Sequence, residues 1–483
     1  MPDRLTGLDS SFLHLERGGA HMHVASTMVF EGSCPPYEDF ADHVVSRLHL
    51  VPRFRQRLRF VPFGQGRPVW VDDPHFNIHY HVRHTALPEP GSDEQLRNLA
   101  GRLFSQRLDR SKPLWEMWLV DGLQGDRFAL IGKSHHALVD GVSGVDISTV
   151  LFDAAPEPPE PIERDDWVPG PEPSDAQLLG EALLERATSP RELVRGGRAL
   201  LRGPRQAIGA VEQVVGALGS FAGAGLAAPS SPFNVPIGPY RRFAWVRGDL
   251  ADFKAVKDRL GGTVNDVVLA AVSGALGRFL RGRGHSTAGL ELRALVPISV
   301  RAEDERGALG NRVSAMMAPL PVWCEDPAER MRIVTETMGD LKKSRQAVGA
   351  NMLTGLADFA PPTIAAQAAR LQSRQRFFNL VVTNVPGPQF PLYLLGNRME
   401  ATFPMVPLAR RQAVCVGIMS YDGTINFGLV GDYDAMPGLD SLTDDLEAEI
   451  DALVSAKPRA RRRKPAAKPK PGQKARARAR SRA

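Results

Sequence analysis

Phe128-Ala129-Leu130-Ile131-Gly132-Lys133-Ser134-His135-His136-Ala137-Leu138-Val139-Asp140-Gly141 is the stretch on which the reading turns. Its first seven residues are mostly apolar and bounded by polar ones, as in a buried strand. Two adjacent imidazoles follow, with a carboxylate four residues past the second and then a glycine. The chain has 12 His in 483 residues. Chance gives about 0.3 adjacent pairs, before Asp and Gly are required at set offsets. Leu114 to Val120, carrying Trp115 and Trp118, predicts a preceding strand. Asp121-Gly122 with Gly125-Asp126 supplies the reversal, so the two runs predict a hairpin with the histidines at its end. Val139-Asp140-Gly141 predicts a turn, and Ser143 to Phe152 a helix. A loop at a strand terminus is where a rigid scaffold presents reactive groups.

Imidazole titrates closest to neutrality, so it can take a proton and return it. Successive residues cannot face the same way: one ring would meet the reaction and the other pack behind it. Asp140 could orient a ring or pair with an arginine, and Gly141 permits a backbone shape that a side chain would block. Nucleophilic chemistry lacks its usual signs. No Gly-x-Ser-x-Gly elbow is present, and Cys34, Cys324 and Cys415 have no catalytic context. Ser134 adjoins the histidines, but sequence neighbours rarely form a working Ser-His pair. His-Glu-x-x-His is absent, and this spacing is not a usual zinc set. From residue types alone, a structural histidine pair at a strand end stays open.

Further segments narrow the reading. His-His-x-x-x-Asp-Gly is the signature of the chloramphenicol acetyltransferase-like superfamily. Leu5-Thr6-Gly7-Leu8-Asp9-Ser10-Ser11-Phe12-Leu13, Pro113-Leu114-Trp115, Thr263-Val264-Asn265-Asp266-Val267-Val268-Leu269-Ala270, Leu295-Val296-Pro297-Ile298-Ser299-Val300-Arg301, Gly310-Asn311-Arg312 and Asn384-Val385-Pro386-Gly387-Pro388 occur in order. With them the chain resembles the bacterial wax ester synthase/diacylglycerol acyltransferase family from about residue 3 to 455. The resemblance implies an α/β, two-lobed chloramphenicol acetyltransferase-like fold. Each lobe would be a mixed sheet with helices, with a channel between them. It implies acyl transfer from acyl-CoA, as co-substrate and with no other cofactor or metal, to diacylglycerol or a long-chain alcohol. Carried over by position, His136 is the general base, His135 is supporting, Asp140 holds the loop and Gly141 shapes it. Asn265 and Asp266 belong to a second important segment, although an Asn-Asp pair also opens an ordinary helix. Arg55, in Pro52-Arg53-Phe54-Arg55, is the candidate partner for Asp140.

The expected mechanism has His136 take the acceptor's hydroxyl proton as oxygen attacks the thioester. No acyl-enzyme is needed, because the thioester is already activated. Two other readings accompany it: a condensing acyltransferase using another thioester donor or lipid alcohol, and a non-catalytic lipid-droplet or DNA-tethering protein.

The length exceeds a single core and predicts two domains. A hydrophobic share of 43% with 24% charged residues is that of a globular protein. Three scattered cysteines make no disulfide framework and fit a reducing cytosol. No apolar leader follows Asp3, Arg4 and Asp9, and Val214 to Ala228 is too short and glycine-rich for a span. The expected location is cytoplasmic, with peripheral contact to the inner membrane face or lipid droplets. The net charge of +6 is uneven: 13 Lys and Arg and no acid lie from Lys457 onward, which leaves −7 for residues 1–456.

The expected organisation is an N-terminal lobe over 1–152 and a Pro-rich linker with basic crossover helices over 153–231. A C-terminal lobe over 232–456 and a disordered basic tail over 457–483 complete it. Arg186, Arg191, Arg195, Arg198, Arg202 and Arg205 suit either an anionic membrane surface or a solvated face of a crossover helix. The tail suits anionic lipid or nucleic acid. In the C-terminal lobe, helices are expected over 250–260 and 265–280. Strands are expected over 290–300, 313–320, 379–385, 413–421 and 424–430, with Asp422-Gly423 turning the last hairpin.

Overall fold

The computed structural model describes residues 3–16, 18–139, 150–157, 167–188, 228–299, 313–343 and 377–458. Asp140, Gly141, most of the helix expected over 143–152, Gly310-Asn311-Arg312, the apolar periodicity over 193–218, Arg191 to Arg205 and the tail beyond 458 lie outside them.

The strands are β1 (Asp3–Arg4), β2 (His23–Glu31), β3 (Gln56–Arg59), β4 (Val69–Asp72), β5 (Val82–Ala86), β6 (Trp115–Leu123), β7 (Arg127–His135), β8 (Arg241–Asp249), β9 (Leu292–Ser299), β10 (Val313–Leu320), β11 (Leu380–Pro386), β12 (Tyr393–Leu394), β13 (Asn397–Met405), β14 (Val414–Tyr421) and β15 (Thr424–Asp432). The expected β6–β7 hairpin is present, antiparallel, with Trp115 opposite Ser134. The β14–β15 hairpin turns on Asp422 and Gly423, whose φ values of 39° and 79° are the left-handed pair a two-residue turn requires.

Two six-stranded mixed sheets carry the fold, in the orders β12-β13-β2-β7-β6-β5 and β10-β9-β11-β14-β15-β8. In the first, only β5–β6 is parallel; in the second, β11 runs parallel to both β9 and β14. A small sheet, β1-β4-β3, lies apart. The helices Leu250–Leu260, Val264–Gly282, Pro327–Lys343 and Leu439–Ser455 flank the second sheet and share its core. The arrangement is the two-lobed α/β fold expected.

Alternation on β7 shows how the sheets meet. Phe128 and Leu130 enter one core with Phe30 and Trp115. Ala129 and Ile131, on the other face, join Phe243, Phe403, Cys415 and Val430 from the second half of the chain. This shared core includes Trp245 stacked on Phe403, with ring centroids 4.6 Å apart. A cut near residue 232 does not separate the lobes, because β12 and β13 leave the second half and complete the first sheet beside β2. The cause is local patterning: Ala401, Phe403 and Met405 bury one face, and the backbone covers what would otherwise be the open edge of β2.

Candidate active site

His135 closes β7 on the face shared by Ala129, Ile131 and Lys133, toward the core between the sheets. Its N–H donates to Leu114 O at 2.9 Å, so Pro113-Leu114-Trp115 lies directly beneath the histidines. Trp115 is fully buried, donates its indole N–H to Phe54 O at 2.7 Å and stacks on His81. The turn expected at Val139-Asp140-Gly141 falls mostly outside the described residues, and a short helix, His136–Val139, starts at the second histidine itself. It starts there because His135 Nδ1 accepts the Ala137 N–H at 3.0 Å, which satisfies one of the amides a helix start leaves open. His136 donates its own N–H to Met22 O at 2.8 Å. The half-buried His136 ring stacks on Phe12, centroids 4.2 Å apart and planes 27° from parallel.

Behind the strand end lies a buried polar cluster. Glu16 Oε1 is 3.3 Å from His135 Nε2 and 3.4 Å from His23 Nε2, and it accepts the Met22 N–H at 2.7 Å. Arg110 pairs with the other carboxylate oxygen. Burial works to raise the Glu16 pKa. The His135 hydrogen bond and the neighbouring rings outweigh it and hold the carboxyl well below its ordinary range. His23 sits opposite His135 in the β2–β7 register, and His21 stacks on His23 at 4.6 Å. Burial first, then Arg241, pushes His21 down to about 3. Burial and His21 hold His23 well below its usual value. Both rings are therefore neutral. Lys133 pairs with its cross-strand neighbour Glu116 at 3.2 Å and donates to Leu103 O and Gln106 O at the end of the helix Asp93–Ser105.

The remaining candidates fall elsewhere. Arg55 is buried with its guanidinium over the Trp167 ring at 5.1 Å; its expected partner Asp140 lies outside the described residues, as does Gly141. Asp266 closes a capping box: Thr263 N–H and Oγ donate to its Oδ2 at 2.8 and 2.9 Å, and Thr263 Oγ accepts the Asp266 N–H. Asn265 accepts an amide hydrogen bond from Asn384 at 3.3 Å, which joins two motifs distant in sequence. Burial pushes the Cys34 and Cys415 thiols up to about 12 and raises Cys324, so none is poised as a thiolate. Cys34, His84 and Asp121 bring their polar atoms within 4.8 Å of one another. They stand at the far end of β6, about 20 Å from the histidines by strand rise.

Sequence reasoning missed Glu16, His21, His23 and Lys133. A signal was present. Phe12 and Glu16 are four apart, the spacing that puts two side chains on one side of a helix. His21-Met22-His23 carries two imidazoles at strand alternation.

The wax ester synthase/diacylglycerol acyltransferase catalytic domain matches residues 5–268, and the C-terminal domain of the same family matches 309–454. A probable diacylglycerol O-acyltransferase of Mycobacterium tuberculosis is 34% identical over 466 residues, covering 95% of this chain and 97% of its own. A second from the same species is 34% identical over 464 residues, 93% and 98%. The structure is similar to that of a wax ester synthase/diacylglycerol acyltransferase from Marinobacter aquaeolei, with a TM-score of 0.64, 27% identity and coverage of 93% and 98%. The starter condensation domain of rhizomide synthetase shares the fold at 14% identity, with a TM-score of 0.54 and coverage of 95% and 96%. The chain therefore belongs to the wax ester synthase/diacylglycerol acyltransferase family, acyltransferases that take an acyl group from acyl-CoA to a lipid hydroxyl.

Proposed function

We propose that the protein makes triacylglycerol, transferring a long-chain acyl group from acyl-CoA to diacylglycerol, with His136 as general base. The observation that carries the base is the placement of His136. Its ring is half-buried, stacked on Phe12 and pinned through its own backbone N–H to Met22 O, while His135 turns into the buried cluster. An aliphatic hydroxyl supplies almost no alkoxide at neutral pH, so a base at the reacting oxygen is needed and is typically worth about 10²–10⁴-fold. His136 takes the hydroxyl proton as oxygen attacks the thioester carbonyl. The tetrahedral intermediate collapses, CoA leaves as thiolate, and the histidine returns the proton to it. His135 and Asp140 act in support, His135 through its hydrogen bond to Ala137 and Asp140 by holding the loop.

Diacylglycerol is favoured over a fatty alcohol because the mycobacterial relatives at 34% identity carry that activity in their names. Free CoA released with diacylglycerol and with hexadecanol, followed by product identification in cells expressing wild type and His136→Ala, tests both parts. Release only with hexadecanol overturns the acceptor. An active His136→Ala overturns the base.

A lipid acceptor requires access to a lipid phase. Among the described residues no single helix is long and apolar enough to cross a membrane. The basic run from Arg186 to Arg205 and the tail offer peripheral contact with an anionic membrane or droplet surface. Co-sedimentation with anionic vesicles and with DNA, with and without residues 457–483, separates lipid from nucleic acid as the tail's partner.

A further inference from the structure

We infer that Glu16 is a positioning residue for His136, acting from two sides through polar contacts that converge on one carboxylate oxygen. The inference rests on His136 as the base and goes beyond it. On one side, Glu16 Oε1 accepts the Met22 N–H at 2.7 Å, and the carbonyl of Met22 accepts the His136 N–H at 2.8 Å. On the other, the same oxygen faces His135 Nε2 at 3.3 Å, while His135 Nδ1 accepts the Ala137 N–H at 3.0 Å. The backbone on both flanks of His136 is thus tied to one side chain.

The two ends of the His135 ring fix its protonation. Nδ1 faces an N–H and must be bare to accept it. The ring proton of a neutral imidazole then sits on Nε2, and Nε2 points at Glu16. An anion there favours that tautomer, and Glu16 is anionic: its side chain is only 6% exposed, yet the donors facing it from His135 and Met22 hold its carboxyl well below its ordinary range. The other tautomer would place two donors, Nδ1–H and Ala137 N–H, against each other and loosen the helix start that carries His136.

The same helix end serves the catalytic ring directly. Phe12 lies one helical turn before Glu16 and stacks on His136, while Glu16 holds His135. The segment from Phe12 to Glu16 therefore grips adjacent histidines with two different kinds of contact.

Glu16→Ala is the test, with Glu16→Gln and Arg110→Ala beside it. Misplacement by an ångström can cost on the order of 10²-fold, so Glu16→Ala is expected to lower kcat by about 10- to 100-fold. KM for acyl-CoA should stay within about twofold, because only the transition-state geometry changes. Glu16→Gln keeps an oxygen for both donors and should recover at least about half of the loss on a logarithmic scale. Arg110→Ala removes a partner of the same carboxylate without touching Met22 or His135, and should lower stability while holding kcat within about threefold. In ¹⁵N-histidine spectra, wild type should show His135 with a bare Nδ1 and a protonated Nε2, and Glu16→Ala should lose that signature. An unchanged tautomer with unchanged kcat in Glu16→Ala overturns the inference. So does a loss of kcat that tracks the folded fraction equally in Glu16→Ala and Arg110→Ala. The spectra do not depend on turnover, so an active His136→Ala would defeat the base assignment while the Glu16–His135 tautomer remained separately measurable.

Discussion

Phe12 and His136 hold their rings 4.2 Å apart and nearly parallel, so the helix Gly7–Leu15 reaches across to the end of β7 and gives the second histidine a flat apolar support. Met22 O takes the backbone N–H of the same residue. An imidazole held by a ring face and by its own peptide is fixed in direction before substrate arrives. His136→Ala is expected to lower kcat/KM by about 10²–10⁴-fold with the fold retained. Thiol release from acyl-CoA in the presence of acceptor, alongside thermal denaturation, measures both. A near-normal rate would remove the base from the mechanism.

Asp266 opens the helix Val264–Gly282 through a reciprocal cap with Thr263. Asp266→Ala should cost about 0.5–2 kcal/mol of stability, and turnover per folded molecule should fall by less than about tenfold. Denaturant titration and a rate normalised to folded protein separate the effects. A hundredfold loss at unchanged stability would give Asp266 a part in the chemistry.

His21 and His23 are neutral in the folded protein, with folded-state values far below the ordinary 6.5. The unfolded chain therefore binds more protons as pH drops below about 6.5, and stability falls at about 1.4 kcal/mol per pH unit for each ring. For His21 the fall continues toward about 3. Glu16, likewise displaced below its ordinary 4.5, adds to the loss only below that value. Unfolding free energy measured from pH 7.5 to pH 5 should be flat above 6.5 and decline below it. The decline should be shallower in His21→Phe. An identical slope in that variant would contradict the buried neutral ring.

Arg330 is fully buried and binds Ala270 O, Cys324 O and Glu449, tying three helices of the second lobe. Arg278 bonds the same Glu449 at 2.8 Å but is half exposed. Removing one partner of a buried pair leaves a charge behind, so Arg330→Ala should destabilise by about 3–5 kcal/mol. Arg278→Ala should cost no more than about 1 kcal/mol. Equal losses in chemical denaturation would show that burial does not set the difference.

Gly19 is where the loop before β2 meets the second half of the chain. A Cβ there would sit 2.2 Å from Gly238 O, and Arg241 donates to the Gly19 carbonyl. Gly19→Ala must push these backbones apart and should cost about 1–3 kcal/mol, as overpacking does. Thermal denaturation reads it, with Gly18→Ala as an unsuitable match because that residue has a positive φ of 59°. A neutral Gly19→Ala would mean the two segments separate freely.

Much of the local structure was legible. The β6–β7 and β14–β15 hairpins follow from alternation between turn residues. The helices Leu250–Leu260 and Val264–Gly282 follow from apolar spacing and from the Thr263 cap. The helix start at His136 was not legible, because periodicity does not reveal that a histidine ring caps the amide two residues on. The partner of β13 was not legible for a similar reason. β13 reads as a strand, but which edge it joins depends on β2, more than 360 residues earlier.

By itself the sequence determined the chemistry-bearing pair, the strand that delivers it and the family to which the chain belongs, since all three reside in short contiguous patterns. Only the tertiary structure decided which groups stand behind those histidines. Glu16, Met22, His23 and Phe12 are over a hundred residues from His135 and His136, and they come together because β2 pairs with β7 in one register. That register follows from burying alternate residues on both faces of a shared sheet, a condition of the whole fold and not of any segment.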